Sequence, residues 1–254
     1  TWIGYTIIFE KKYDRHLLAI DKLASFYKQN GIRMMLLKGF GLSQYWPKPK
    51  HRPSGDMDIY LFGNCKKADN LILDKRIQVD EGHEHHTCFA FEGESIENHY
   101  DFINTKSNKS AVWIEAKLKK LASKANKSIS LYNDAEIVLP LADLNVIFLI
   151  RHLGQHFAGA EATLRQVLDW GFFMRAEWKN VHWNEIIPFL KKMGIYDFFC
   201  CINSVCVEYL GFKFYECSNV SDNNALVKRV LEDILSPEFS DEKPKGNKIT
   251  VIFF

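Results

Sequence analysis

The stretch HRPSGDMDIYLF, residues 51–62, constrains the fold more than any other of its length. A polar loop holding Pro53 and Gly55 leads into Asp56 and Asp58, which are separated only by Met57, and then into an unbroken apolar run. Such a run reads as a strand buried in a sheet. Side chains at i and i+2 of a strand leave from one face, so both aspartates are expected to point the same way, with Met57 opposite. Two like charges so placed raise each other's pKa, and a bound divalent cation is the usual way to keep both ionised. An isolated D-x-D more often caps a turn or faces solvent, so its neighbours decide what it means.

Those neighbours alternate helix and strand. DRHLLAIDKLASFYKQN, residues 14–30, spaces its apolar residues as a helix does, with Gly31 as the expected C-cap. IRMMLLK follows as a strand buried on both faces and runs into Gly39, after which FGLSQYW is a short helix halted by Pro47 and Pro49. DIYLF is a second strand and NCKKADNLILDKR a helix. HHTCFAFEG and SIENHYDFIN read as an antiparallel strand pair joined through Gly93. From about residue 113 the chain turns to helix-length segments with few strand signals. The expected fold class is α+β, a mixed α/β core with a small mixed sheet over residues 1–112, followed by an α-helical domain over 113–254 that closes the acceptor side of a cleft. The chain has no internal repeat and no low-complexity tract.

A carboxylate pair at a strand's mouth suits magnesium, with manganese as a substitute, because such ions take oxygen ligands and leave positions for water and phosphate. The site then needs a third acid from a neighbouring strand. In SIENHYDFI strict alternation puts Glu97, His99, Asp101 and Ile103 on one face and Ile96, Asn98, Tyr100 and Phe102 on the other. Glu97 is the favoured third carboxylate, with Asp101 left open. Two metals held by three carboxylates would steady an incoming hydroxyl and a leaving pyrophosphate, which is nucleotidyl-transfer chemistry. Lys38, Gly39 and a short helix whose amides face a phosphate stand 17 residues before Asp56.

These residues resemble the DNA polymerase β-like nucleotidyltransferase superfamily, with its glycine-containing turn after a strand, its D-x-D and its later acidic strand. LLKGFGLSQYWPKPKHRPSGDMDIYLF is similar to the uncharacterised bacterial nucleotidyltransferase family, which carries an L-K-G turn and an R-P-x-G-D-x-D-hydrophobic signature. The likeness is clear over about residues 14–105; ENHY, LNVIFLIRHLGQHF and LRQVLDW extend it less specifically. It implies that Asp56, Asp58 and Glu97 are both catalytic and metal-binding, and that Gly39 forms the phosphate-binding turn. Lys38, Ser43, Arg52 and Ser54 would lie near the triphosphate. The turn reads Lys-Gly where the superfamily usually has Gly-Ser, and Gly55 separates Ser54 from Asp56.

Composition narrows the partners. The chain has 254 residues, 47% apolar and 14% aromatic, ample for a packed core. A net charge of +2 argues for neither nucleic-acid nor membrane attachment. Six cysteines without a C-x-x-C pair read as free thiols in a reducing, cytoplasmic setting. IVLPLADLNVIFLI is too short and too polar for a membrane span, and TWIGYTIIFEKK lacks the marks of a signal peptide. With no initiator Met and with KITVIFF stopping inside a strand-like run, the natural chain is expected to continue past Phe254.

Other clusters read as structural. In HEHHTC, His83, His85, His86 and Cys88 crowd one strand entry where His86 and Cys88 share a face but His85 does not, which favours exposed or nucleotide-adjacent histidines over zinc. His152 and His156 share a helix face without the glutamate of H-E-x-x-H and read as packing residues. Arg165 and Asp169 could pair across one helical turn, and KLKKLASKANK reads as a solvated amphipathic helix. The reading that follows is a metal-dependent nucleotidyltransferase moving an NMP from a nucleoside triphosphate such as ATP to a small-molecule, protein or RNA hydroxyl. The rivals are a non-catalytic nucleotide-binding or interaction protein on the same fold and a metal-dependent phosphohydrolase.

Overall fold

A computed structural model of the chain describes residues 2–106, 108–125, 127–131, 135–213 and 219–236; Cys217 and the KITVIFF segment lie outside them. The chain divides into two compact units, Thr1–Leu144 and Asn145–Phe254. The boundary expected at 112/113 falls instead inside a helix of the first unit.

The first unit opens with α1 (Trp2–Gln29), which begins well before the helix expected from residue 14. Its early turns leave Ile3, Tyr5, Ile7 and Ile8 exposed, so no amphipathic pattern announces them. The helix stops where the sequence suggests: Ile32 N donates to Tyr27 O (2.9 Å) and Gly31 N to Lys28 O (3.0 Å), the paired bonds of a Schellman cap. Then come β1 (Met34–Leu36), α2 (Phe40–Ser43), β2 (Met57–Tyr60), α3 (Cys65–Asp74), β3 (Val79–Asp80), β4 (His86–Phe91) and β5 (Glu94–His99). The β4–β5 hairpin turns on Glu92 and Gly93, both at positive φ, as a two-residue type I′ turn demands. After α4 (Lys109–Ala122) come two strands absent from the sequence reading, β6 (Ser128–Ser130) and β7 (Glu136–Val138).

The seven strands form one mixed sheet in the order β3-β4-β5-β2-β1-β7-β6. Pairing is parallel where β2 meets β5 and where β1 meets β7, and antiparallel elsewhere. β7 supplies the second partner that an apolar β1, buried throughout, needs for its backbone groups.

The two faces of the sheet differ in chemistry. Met34, Leu36, Met57, Ile59, Phe89, Phe91, Ile96 and Ile137 pack with Ile20, Leu23 and Tyr27 of α1 and Ala68 and Ile72 of α3. Each large apolar side chain fully buried there contributes about 1.5–3 kcal/mol. On the same face Thr87 Oγ1 (3.0 Å) and Asn98 Nδ2 (2.8 Å) donate to Asp69 Oδ1 of α3. The two-residue period therefore turns Asp58, Tyr60, His86, Cys88, Glu97 and His99 to the opposite face.

In the second unit, α5 (Ala142–Ala158), whose first turn straddles the division, is followed by α6 (Leu164–Glu177), α7 (Trp183–Lys192), α8 (Tyr196–Glu208) and α9 (Asn224–Leu235). Trp170, Phe173, Phe199 and Ile202 fill its interior, where Trp170 Nε1 donates to Asn203 Oδ1 (2.9 Å). His152 and His156 bring their Nε2 atoms within 3.3 Å, and His156 Nδ1 lies 3.2 Å from Glu161. Among the described residues no helix is long and apolar enough to cross a membrane, and Cys65, Cys88, Cys200, Cys201 and Cys206 are free thiols.

Candidate functional site

Register across the sheet builds a polar row. Asp58 of β2 stands opposite Glu97 of β5, Glu97 opposite Cys88 of β4, and Cys88 opposite Asp80 of β3. One step along, His99 stands between Tyr60 and His86. The donor atoms of Asp58, Glu97 and His99 all lie within 4.8 Å of one another. Alternation in SIENHYDFI thus carries Glu97 and His99 to the right face, and Glu97 to Asp58.

Asp58 is 3% exposed, and its Oδ1 accepts from Lys38 Nζ (2.9 Å) and His99 Nε2 (3.1 Å). Burial works to raise its pKa, but Lys38 and then His99 override it and hold the carboxyl well below the usual range. Burial likewise works against the charged forms of His99 and Lys38. The hydrogen bonds of His99 to Asp58 and Glu97, and the charge of Asp58 on Lys38, raise both nonetheless. His99 Nδ1 donates to Asp101 O (3.3 Å), so both ring nitrogens donate, as in an imidazolium. Glu97 Oε2 is 3.5 Å from His99 Nε2, and its side chain is 22% exposed against 5% for Asp58. Among the carboxylates of this cluster it is the one open to an incoming group.

Asp56 lies one residue before β2 and is exposed, because the strand begins at Met57 and not at the first aspartate. Its charge still bears on Lys38. Gly39, at φ +64, opens α2; a Cβ there would come within 3.0 Å of Asp56 O and 3.5 Å of Asp58 Oδ2. Only a residue without a side chain lets this turn lie against the D-x-D.

The other expected residues have local bonds. Ser43 is buried and donates to Phe40 O (2.6 Å) within α2; Arg52 Nη1 donates to Pro53 O (3.1 Å); Ser54 Oγ donates to Arg52 O (3.4 Å). Asp101 leaves the row. β5 ends at His99, Tyr100 N and Asp101 N both donate to His85 O (3.1 and 3.2 Å), and the Asp101 carboxylate pairs with Lys119 of α4. Glu115 fixes this exit by accepting from Phe102 N and Ile103 N, each at 3.1 Å. Strict alternation fails beyond residue 99 because the ladder stops there. His99 is the residue the sequence reading passed over as a participant, although alternation had put it on the acidic face.

The site thus holds a buried carboxylate with two cationic partners, a second carboxylate opposite it on the parallel neighbour strand, and a glycine turn against the D-x-D segment. The family described as "Uncharacterised nucleotidyltransferase" matches residues 2–211, and the chain belongs to that family. No curated protein matches the sequence. The crystal structure of an antigenic nucleotidyltransferase-like protein from Paracoccidioides brasiliensis is similar at 11% identity and a TM-score of 0.43, over 63% of this chain and 76% of that one. A likeness of that degree carries no argument about function.

Proposed function

We propose that the chain is a magnesium-dependent nucleotidyltransferase, transferring an NMP from a nucleoside triphosphate to an acceptor hydroxyl with release of pyrophosphate. The observation that carries this reading is the register of Asp58 against Glu97 beside the Gly39 turn, in a member of a nucleotidyltransferase family. The carboxylate oxygens of Asp58 and Glu97, close enough to share an ion, suit magnesium or manganese, and the exposed Asp56 just before β2 would supply a further oxygen. Bound there, divalent ions supply charge neutralisation at the phosphate oxygens.

The chain's own residues do the rest. The Gly39 turn and Lys38 seat the triphosphate, aided by Arg52 and Ser54 in the loop before Asp56. Ser43, spent on the Phe40 carbonyl, supports the turn from behind. Glu97, the more open carboxylate, takes the proton of the acceptor hydroxyl. His99 keeps Asp58 and Glu97 oriented toward each other. The acceptor class, whether small molecule, protein or RNA, is not set by the fold.

Calorimetry with magnesium and a non-hydrolysable ATP analogue tests the assignment. Asp58→Asn and Glu97→Gln, both near-isosteric, are each expected to weaken metal-dependent nucleotide binding at least about tenfold. Wild-type affinity in both would overturn it. One observation favours a second reading: Lys38 and His99 already balance the Asp58 charge, as suits a protein that holds nucleotide without turning it over. Such a protein would bind the analogue and label no acceptor.

A further inference from the structure

The polar face does not end at the carboxylates. Toward the sheet edge it continues through His86 and Cys88 of β4, and the loop from β3 folds back so that His83 stacks on His86, ring centroids 4.5 Å apart. Gly82 N donating to Asp80 Oδ1 (2.8 Å) holds that loop, and Asp80 Oδ2 lies 3.3 Å from His83 Nε2. One donor atom from each of His83, His86 and Cys88 lies within 4.8 Å of the other two. His86 Nδ1 is buried without a hydrogen-bond partner, which leaves an imidazole nitrogen with nothing to bond.

We propose that His83, His86 and Cys88 form a second metal site, next to the carboxylates but with its own donors, that takes a transition-metal ion of the zinc class. Two imidazoles and a thiolate select a borderline or soft ion over magnesium or calcium, which demand oxygen. Tetrahedral zinc with bonds of about 2.0–2.3 Å holds its donors about 3.3–3.7 Å apart, so side-chain rotation closes the remaining gap. Asp80 beside His83 Nε2 stands as a carboxylate that orients a ligating imidazole through its other nitrogen. Three protein ligands leave the fourth position to water. Binding forms the metal–sulfur bond as the Cys88 thiol releases its proton to solvent, so one proton leaves per ion bound. Alternation in the sequence puts His86 and Cys88 on one face, as the strand does, but it does not reach His83, which the loop before β4 brings against His86.

Cobalt and zinc titrations of the metal-stripped full chain test this without reference to transferase activity. Cobalt is expected to bind at one equivalent, with a thiolate-to-cobalt charge-transfer band that millimolar magnesium does not remove. Zinc affinity, read by competition with a chromophoric chelator, should fall at least about tenfold in Cys88→Ser and in His83→Ala, while Asp58→Asn and His85→Ala keep it. Circular dichroism of each variant separates ligand loss from misfolding. Absence of the band, its survival in Cys88→Ser, or loss of zinc in His85→Ala in place of His83→Ala would overturn the site; the last would put the ion on His85, His86 and His99, whose donor atoms also lie within 4.8 Å of one another.

Discussion

Asp58 stays ionised in a place where burial alone would protonate it, because Lys38 and His99 share its Oδ1. Asp58 therefore contributes stability that is full above its ordinary value of 3.8 and is lost as pH falls below it. His99, raised above 6.5, contributes fully below that value and loses its contribution as pH rises through its folded pKa. The pairing is complete between the two. In the metal-free protein, an NMR titration of the His99 ring should give a pKa above 6.5 in wild type and a lower one in Asp58→Asn, where burial meets less opposition. An unchanged His99 titration would mean that Asp58 does not charge it. Gly39 is the second residue on which the site depends. Gly39→Ala places a Cβ at φ +64 and 3.0 Å from Asp56 O, a strain of about 1–2 kcal/mol. Chemical denaturation should show that loss, with weaker nucleotide binding in the folded protein.

The elements explain which parts of the site could be read from the sequence. β2 and β5 are four and six residues long, so alternation sorts Ile96 and Asn98 from Glu97 and His99 without a structure. β6 and β7 are three residues each, too short for a period to show, and β7 is identified only by the open edge of β1 that it covers. The i, i+2 spacing leads one to expect Asp56 on the face of Asp58 as the strand begins. The strand starts one residue later, and the aspartate sits in the loop. Asp101 shares the acidic face in sequence because alternation runs on where hydrogen bonding does not. The sequence could not show that Glu115, 12 and 13 residues further on, takes the Ile103 and Phe102 amides. Glu115→Ala leaves both buried amides without that acceptor, at a cost of about 2–4 kcal/mol. Urea denaturation should show this, with faster hydrogen exchange at residues 100–103; unchanged exchange there would mean that Glu115 does not hold the strand exit.

At the scale of the molecule, Lys38, Gly39, Asp56, Asp58, Glu97 and His99 all belong to the first unit, whose sheet is complete within it. The second unit has its own interior around Trp170, Phe199 and Asn203. The helical character of that unit was legible from segment length and apolar spacing. The division at Leu144 was not, because the 113–144 stretch returns to the sheet through two strands with almost no signal. The family match runs from residue 2 to 211 and so spans parts of both units. The proposed transfer chemistry at Asp58 and Glu97 is tested by incubating the full chain with magnesium, an extract of the source cells and an NTP labelled at the α-phosphorus. Wild type is expected to label an acceptor and release pyrophosphate, while folded Asp58→Asn and Glu97→Gln fall by at least about tenfold. Equal labelling by the variants, or an acceptor labelled only from the γ-phosphate, would contradict it.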